Sequence, residues 1–334
     1  MRIEKMDVLK LAEEIVNGRR LGGEDDLMAF VTCDLDDLCR GADVIREKLC
    51  GDKVDLCTII NGKSGRCGED CKYCAQSAHH HTACEEYGFL DSSVIMDAAR
   101  ANEEEGVDRF AIVTSGKALT GEEFDRAIDT FSQMNEELKI DLCASLGFLN
   151  RDQFKRLRQA GVTSYHDNIE TSRRYFPQIC STHSFDEKLA TIRMAQEEGF
   201  CVCSGGIIGM GETWEDRISM ALTLSELGIR SIPVNVLMAI PGTPLEGMQR
   251  LEEDEILRAI AIFRYINPEA NIRLAGGRML MANDGRQAFC SGASATITGN
   301  MLTTSGSTIR SDKEMLKEMG RNVEPQYNTN CGCH

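Results

Sequence analysis

Eight short runs rich in β-branched and apolar residues recur along this chain, and charged, amphipathic stretches separate most of them. The runs are residues 56–60, 109–114, 140–146, 164–169, 201–208, 231–238, 271–275 and 295–298. Segments 91–105, 151–160 and 185–198 carry helical periodicity. Strands alternating with helices favour one parallel sheet, and eight of them favour its closure into a (β/α)8 TIM-type barrel. A doubly wound open sheet is the rival, but it predicts a phosphate-binding glycine fingerprint after an early strand, and the sequence has none there. The expected organisation is an N-terminal helical extension (1–55), an α/β barrel (56–320) and a polar C-terminal tail (321–334). In the extension, Asp7 is placed to cap a first helix with a stripe of Leu9, Leu11, Ala12 and Ile15, and Gly22–Gly23 to end it.

Within that frame, Cys67, Cys71 and Cys74 stand in the run Arg-Cys-Gly-Glu-Asp-Cys-Lys-Tyr-Cys-Ala-Gln-Ser-Ala, just past the first strand, where a barrel places its catalytic loops. Three thiolates in so short a loop hold three irons of a cubane cluster and leave the fourth open for a chelating ligand such as S-adenosylmethionine. Tyr73 offers an aromatic face to a nucleobase. A zinc knuckle is the alternative, with His79, His80 or His81 as the fourth ligand that structural zinc wants. The chain has 15 cysteines, which in a reducing compartment fit metal–sulfur chemistry better than a disulfide framework. Cys33, Cys39, Cys50, Cys57, Cys84 and Cys180 take the plain reading of core residues, and Cys290 is read as structural. A formal net charge of −16 disfavours nucleic acid and acidic membrane surfaces as partners. No apolar run is long enough to span a bilayer, and the N-terminus lacks a signal-like apolar stretch, so a cytoplasmic location is expected.

The CxxxCxxC spacing resembles the signature of the radical SAM superfamily, and its flanks resemble the biotin synthase family within it. Other motifs agree in the same order: Tyr-His-Asp-Asn-Ile-Glu-Thr-Ser at 165–172, Cys-Ser-Gly-Gly-Ile-Ile-Gly-Met-Gly-Glu at 203–212, Ser-Ile-Pro-Val-Asn at 231–235 and Pro-Gly-Thr-Pro-Leu at 241–245. The resemblance covers residue 56 to about 305. It implies a [4Fe–4S] cluster on Cys67, Cys71 and Cys74 with bound S-adenosylmethionine, contacted by Tyr73, Asn168, Glu170 and Lys188. Two departures stand inside the motif, since His166 and Asp167 replace the family's Asn and His. Lys188 aligns with an arginine, which keeps the charge and loses the bidentate fork. Asn235 would read the ureido ring of dethiobiotin, and a buried structural amide is the alternative.

The family's second, sulfur-donating [2Fe–2S] cluster uses three cysteines and an arginine. Cys143, Cys203 and Arg273 match, but the remaining cysteine position is Ala111. The chain instead closes on Cys331-Gly332-Cys333-His334. The expectation is a larger, four-iron auxiliary cluster with a donor sulfide, held by Cys143, Cys203, Cys331 and Cys333, with Arg273 as ligand or electrostatic partner and Cys201 in reserve. The implied activity is sulfur insertion into dethiobiotin by a homodimer that takes electrons from reduced flavodoxin or ferredoxin. The alternatives are a related radical SAM barrel, of the hydrogenase-maturation or methylornithine-synthase type, and a noncatalytic metal or iron–sulfur carrier.

Overall fold

In the computed structural model, which describes residues 7–299 and 307–327, nine parallel strands form one closed sheet. They are β1 (Asp55–Lys63), β2 (Arg109–Thr114), β3 (Asp141–Ser145), β4 (Ser164–His166), β5 (Cys201–Cys203), β6 (Gly206–Ile208), β7 (Ser231–Val236), β8 (Asn271–Leu274) and β9 (Ala295–Ile297). The order is β5-β4-β3-β2-β1-β9-β8-β7-β6, and Cys203 pairing with Ser231 joins β5 to β7. β5 and β6 are therefore two halves of the fifth staff of an eight-stranded barrel. The break falls at Ser204–Gly205, inside a single expected run.

Helices α1 (Val8–Val16), α2 (Ala29–Thr32) and α3 (Leu35–Cys50) precede the barrel. Helices α4 (Ser92–Glu104), α5 (Gly121–Glu137), α6 (Arg151–Gln159), α7 (Phe185–Glu197), α8 (Trp214–Glu226) and α9 (Glu253–Ile266) cross between strands, and α10 (Ile309–Glu318) follows the last. Asp7 caps α1 by accepting from the Lys10 amide at 3.1 Å. The helix stops at Val16, well before Gly22–Gly23, because Gly18 turns the chain with φ of 104°. Capping boxes at Asn150/Gln153, Ser184/Glu187 and Thr213/Asp216 start α6, α7 and α8. The crossover between β8 and β9 is made of 3₁₀ turns instead of an α-helix, and Asn283, Asp284 and Gly285 in left-handed conformation break it.

The core between barrel and helices is apolar and continuous, with Phe110, Phe124, Phe131, Phe154 and Phe263 buried in it. α1 and α3 pack together and α3 packs on α9, where the Tyr265 hydroxyl donates to the Val8 carbonyl at 2.9 Å. Inside the barrel the filling is different. Cys57, Ala111 and Cys143 form a small separate cluster with Ile59, surrounded by polar and charged side chains.

Candidate functional site

A cavity of about 430 Å³ runs from the loop after β1 into the barrel. Cys67, Cys71, Cys74, Tyr73, Asn168, Glu170, Lys188, Asn235, Cys143, Cys203 and Arg273 all line it. Residues far apart in sequence thus meet in one space because each follows, or lies on, a strand of the same barrel.

The cysteine loop is held by its own backbone and by the segment after β4. Cys67 N–H donates to Gln76 O at 3.0 Å, Ala78 N–H returns to Cys67 O at 2.7 Å, and Cys74 N–H donates to Cys71 O at 3.0 Å. The acidic flank grips residues 181–183. Asp70 accepts from the Ser181 amide at 2.8 Å and the Thr182 amide at 3.2 Å, while Glu69 accepts from the Thr182 hydroxyl at 2.8 Å and bonds His183. The Pro-Gly-Thr-Pro motif closes on the other side. Gly242, at φ of +85°, passes so close that a Cβ would meet His81 O at 2.0 Å. His79 and His80 bond the Gly68 and Cys71 carbonyls, each at 3.0 Å, so these two rings are occupied as loop braces. Cys180, read from sequence as core, stands behind the loop and accepts from the Cys71 thiol at 3.8 Å. Its Sγ, that of Cys71 and a ring nitrogen of His183 lie within 4.8 Å of one another.

The next sector belongs to Glu170. Its backbone is left-handed (φ 68°), a conformation that costs energy for a non-glycine residue and that its neighbours must impose. They impose it through the glycine motif: Glu170 N–H donates to Gly205 O at 3.1 Å and Ile207 N–H donates to Glu170 O at 2.8 Å. A Cβ on Gly206 would stand 2.4 Å from Glu170 O, and one on Gly205 would stand 1.9 Å from Pro233 O. The glycines therefore admit neighbouring backbone, and the result is a carboxylate directed into the cavity. Glu170 Oε2 is buried with no hydrogen-bond partner among the described residues. Burial raises its pKa against the pull of Lys188. Lys188 bonds Asp167 at 2.7 Å and lies 5.1 Å from the Phe148 ring centre. Burial opposes its charge, but Asp167 and Glu170 overcome that and hold the ammonium up. Asp167, a departure from the expected motif, is thus the partner of the other departure, Lys188. Burial lowers the His166 pKa, keeping that ring neutral near pH 7.

Asn168 accepts from the Gly205 amide at 3.0 Å. Asn235 donates to Gly206 O at 3.1 Å and accepts from the Gly276 amide at 2.9 Å, which leaves one N–H and one lone pair of its carboxamide for a ligand.

Deeper in the barrel, Asp55 joins two arginines, accepting from Arg273 at 2.6 Å and from Arg109 at 3.0 Å. Arg109 also lies 3.6 Å from Asp141. Above this floor stand Cys57, Cys143 and Cys203, the last accepting from the Ser231 hydroxyl at 3.2 Å. Burial pushes the Cys57 thiol up to about 12 and those of Cys143 and Cys203 up as well, with Arg273 pulling the other way on each. Cys57, read from sequence as core, is buried, and its small cluster also lines the cavity, while Cys201, held in reserve as a ligand, lies outside the cavity lining and is disulfide-bonded, as is Cys50. Cys331, Cys333 and His334 fall outside the described residues. The signal that could have found Cys57 was strand parity, since residues 57 and 59 share a face.

The donor set fits an iron–sulfur cluster with a chelating amino acid. Three thiols line one wall, and beside them lie an unpartnered carboxylate oxygen and a buried ammonium. Residues 63–224 match the radical SAM superfamily, and residues 233–322 match the biotin and thiamin synthesis associated domain. A biotin synthase of Alkaliphilus metalliredigens is 57% identical over 94% of this chain and 99% of its own length.

The chain belongs to the biotin synthase family.

A biotin synthase of Clostridium beijerinckii agrees, with 58% identity over 94% of this chain and 99% of that protein. Methylornithine synthase superposes with a TM-score of 0.82 at 20% identity, covering 95% of this chain and 97% of that one. An [FeFe]-hydrogenase maturase gives 0.81 at 17%, covering 97% and 76%, and both likenesses speak to the barrel alone. No helix among the described residues is long and apolar enough to cross a membrane.

Proposed function

We propose that this radical SAM enzyme inserts sulfur into dethiobiotin to form biotin, and that the shared cavity is where it does so. The observation that carries this reading is that one cavity joins the Cys67–Cys71–Cys74 loop to the thiols of Cys143 and Cys203 beside Arg273. When bound, a [4Fe–4S] cluster with S-adenosylmethionine supplies a carbon radical strong enough to take hydrogen from an unactivated C–H bond, and an auxiliary iron–sulfur cluster supplies the sulfur. Everything else is positioning by this chain's own residues.

Cys67, Cys71 and Cys74 hold the first cluster. Glu170 Oε2, which has no hydrogen-bond partner among the described residues, accepts from the amino group or ribose hydroxyls of S-adenosylmethionine. Lys188, kept charged by Asp167, faces its carboxylate, and Tyr73 stacks on its base. Asn168 fixes the glycine motif and presents its amide nitrogen. Asn235 offers its remaining donor and acceptor to the ureido ring of dethiobiotin. Cys143 and Cys203, with Cys331 and Cys333 from the tail, hold a four-iron auxiliary cluster. Loading it displaces protons that burial otherwise keeps on the wall thiols, and Arg273 eases that loss. The enzyme works as a homodimer supplied by reduced flavodoxin or ferredoxin, in the cytoplasm.

Anaerobic reconstitution tests this reading, with iron and sulfide counted and 5′-deoxyadenosine and biotin measured on the same samples. The expected result is about two four-iron clusters' worth of iron per chain, with loss of one set and of biotin in Cys331→Ala/Cys333→Ala. Biotin formation and unchanged iron in that variant would remove the tail from the ligand set. Cleavage of S-adenosylmethionine without biotin would point to another substrate, and no 5′-deoxyadenosine at all to a carrier.

A further inference from the structure

Side chains that fill a (β/α)8 barrel stand in layers, each built from alternate strands. Counting β5 and β6 as one staff, the first, third, fifth and seventh strands of this barrel are β1, β3, β5/β6 and β8. They contribute Cys57, Cys143, Cys203 and Arg273, all four on the cavity wall. Among the groups acting electrostatically on the Cys57 thiol are Arg273, Asp55, Cys203 and Arg109, and those acting on Cys143 include Cys57 and Cys203. The three thiols therefore share one neighbourhood, facing a common guanidinium.

Ala111, where the family pattern calls for a cysteine, lies between two of them. It is in register with Ile59 on one side and Cys143 on the other, and it packs directly with Cys57 and Cys143. Residues 57 and 59 point the same way, so Cys57 enters one step lower on the adjacent strand, into the space beside the alanine methyl. Nothing else in the described structure uses that thiol. Its hydrogen bond is a weak one, 3.6 Å to the carbonyl of the next residue, Thr58.

We propose that Cys57 is a ligand of the auxiliary iron–sulfur cluster, taking over from β1 the role that Ala111 on β2 cannot perform. The inference rests on the auxiliary cluster proposed above and revises its ligand set, giving Cys57 one of the positions assigned there to the C-terminal cysteines. The barrel then supplies three thiolates, Cys57, Cys143 and Cys203, with Arg273 completing the layer.

The test uses the full-length chain with Cys67, Cys71 and Cys74 all changed to Ala, so that iron counted after anaerobic reconstitution reports the auxiliary site alone. Into this parent go Cys57→Ala, Cys57→Ser, Cys143→Ala, and Cys57→Ala with Ala111→Cys. Iron and sulfide per chain, Mössbauer spectra and the melting temperature of the metal-free protein are read for each. The expected result is loss of most auxiliary iron in Cys57→Ala, matching Cys143→Ala, an altered spectrum in Cys57→Ser, and recovery of iron when Ala111→Cys is added. Unchanged iron and spectrum in both Cys57 variants would overturn the proposal. So would iron loss that tracks a lowered metal-free melting temperature and is absent from the serine variant. A parent that binds no iron would instead overturn the auxiliary cluster itself, which is a distinguishable failure.

Discussion

Glu170 and Gly206 act as one device, and neither explains its own identity. The carboxylate is directed into the cavity only because the backbone at 170 is left-handed, and that backbone lies against Gly206 without room for a methyl group. Gly206→Ala forces Glu170 O or Met220 Sδ to move and should cost about 1–3 kcal/mol of stability, measured by urea denaturation of the metal-free chain. Glu170→Gln leaves the fold and the iron content alone while removing the negative charge that the carboxylate brings to the cavity. It should weaken S-adenosylmethionine binding at least about tenfold, or ~1.4 kcal/mol, in a titration of the loaded protein. An unchanged affinity would place the ligand elsewhere. Both residues were legible in the sequence as members of a motif. Their mutual dependence was not, because Glu170 lies in the segment after β4 and Gly206 on β6, and they meet only through a backbone contact.

At the level of elements, the cysteine loop depends on the segment leading into α7 as much as on its own short-range turns. Asp70 ties the loop to Ser181 and Thr182 through backbone and hydroxyl bonds, and its neighbour Glu69 holds Thr182 and His183. Hydrogen bonds to a charged group contribute about 1.5–3 kcal/mol each. Asp70→Ala should therefore loosen the loop, reduce iron retained at Cys67, Cys71 and Cys74 after desalting, and expose residues 64–90 to limited proteolysis. Ser184→Ala, which removes the α7 cap bonded to Glu187, should cost about 1 kcal/mol in thermal denaturation without affecting iron. The strands and helices were readable in advance because apolar periodicity is local. The division of the fifth strand was not, since it falls where the backbone of Pro233 and Glu170 approaches Gly205 and Gly206 from the neighbouring staves too closely to admit a side chain.

Across the whole molecule, the barrel floor is a charged network in place of an apolar plug. Asp55 sits between Arg109 and Arg273, all three buried. Removing one partner of a buried pair leaves uncompensated charge, so Asp55→Asn should cost about 3–5 kcal/mol, read from denaturant midpoints. In the loaded protein the same variant should disturb the Mössbauer signature of the auxiliary site, because Arg273 would lose the carboxylate that orients it.

The sequence by itself determined the eight-stave barrel, the cysteine loop at its mouth and several of the polar residues on the cavity wall. Those follow from local periodicity and from contiguous motifs whose side chains act close to where they are written. Only the tertiary structure decided which cysteines share a layer. Cys57 reads locally as one more small apolar residue, and Cys201 reads as the strand-mate of Cys203. Closing the sheet puts Cys57 beside Cys143, Cys203 and Arg273, and leaves Cys201 outside the cavity lining. Layer membership depends on register between strands that lie far apart along the chain, which no local pattern carries.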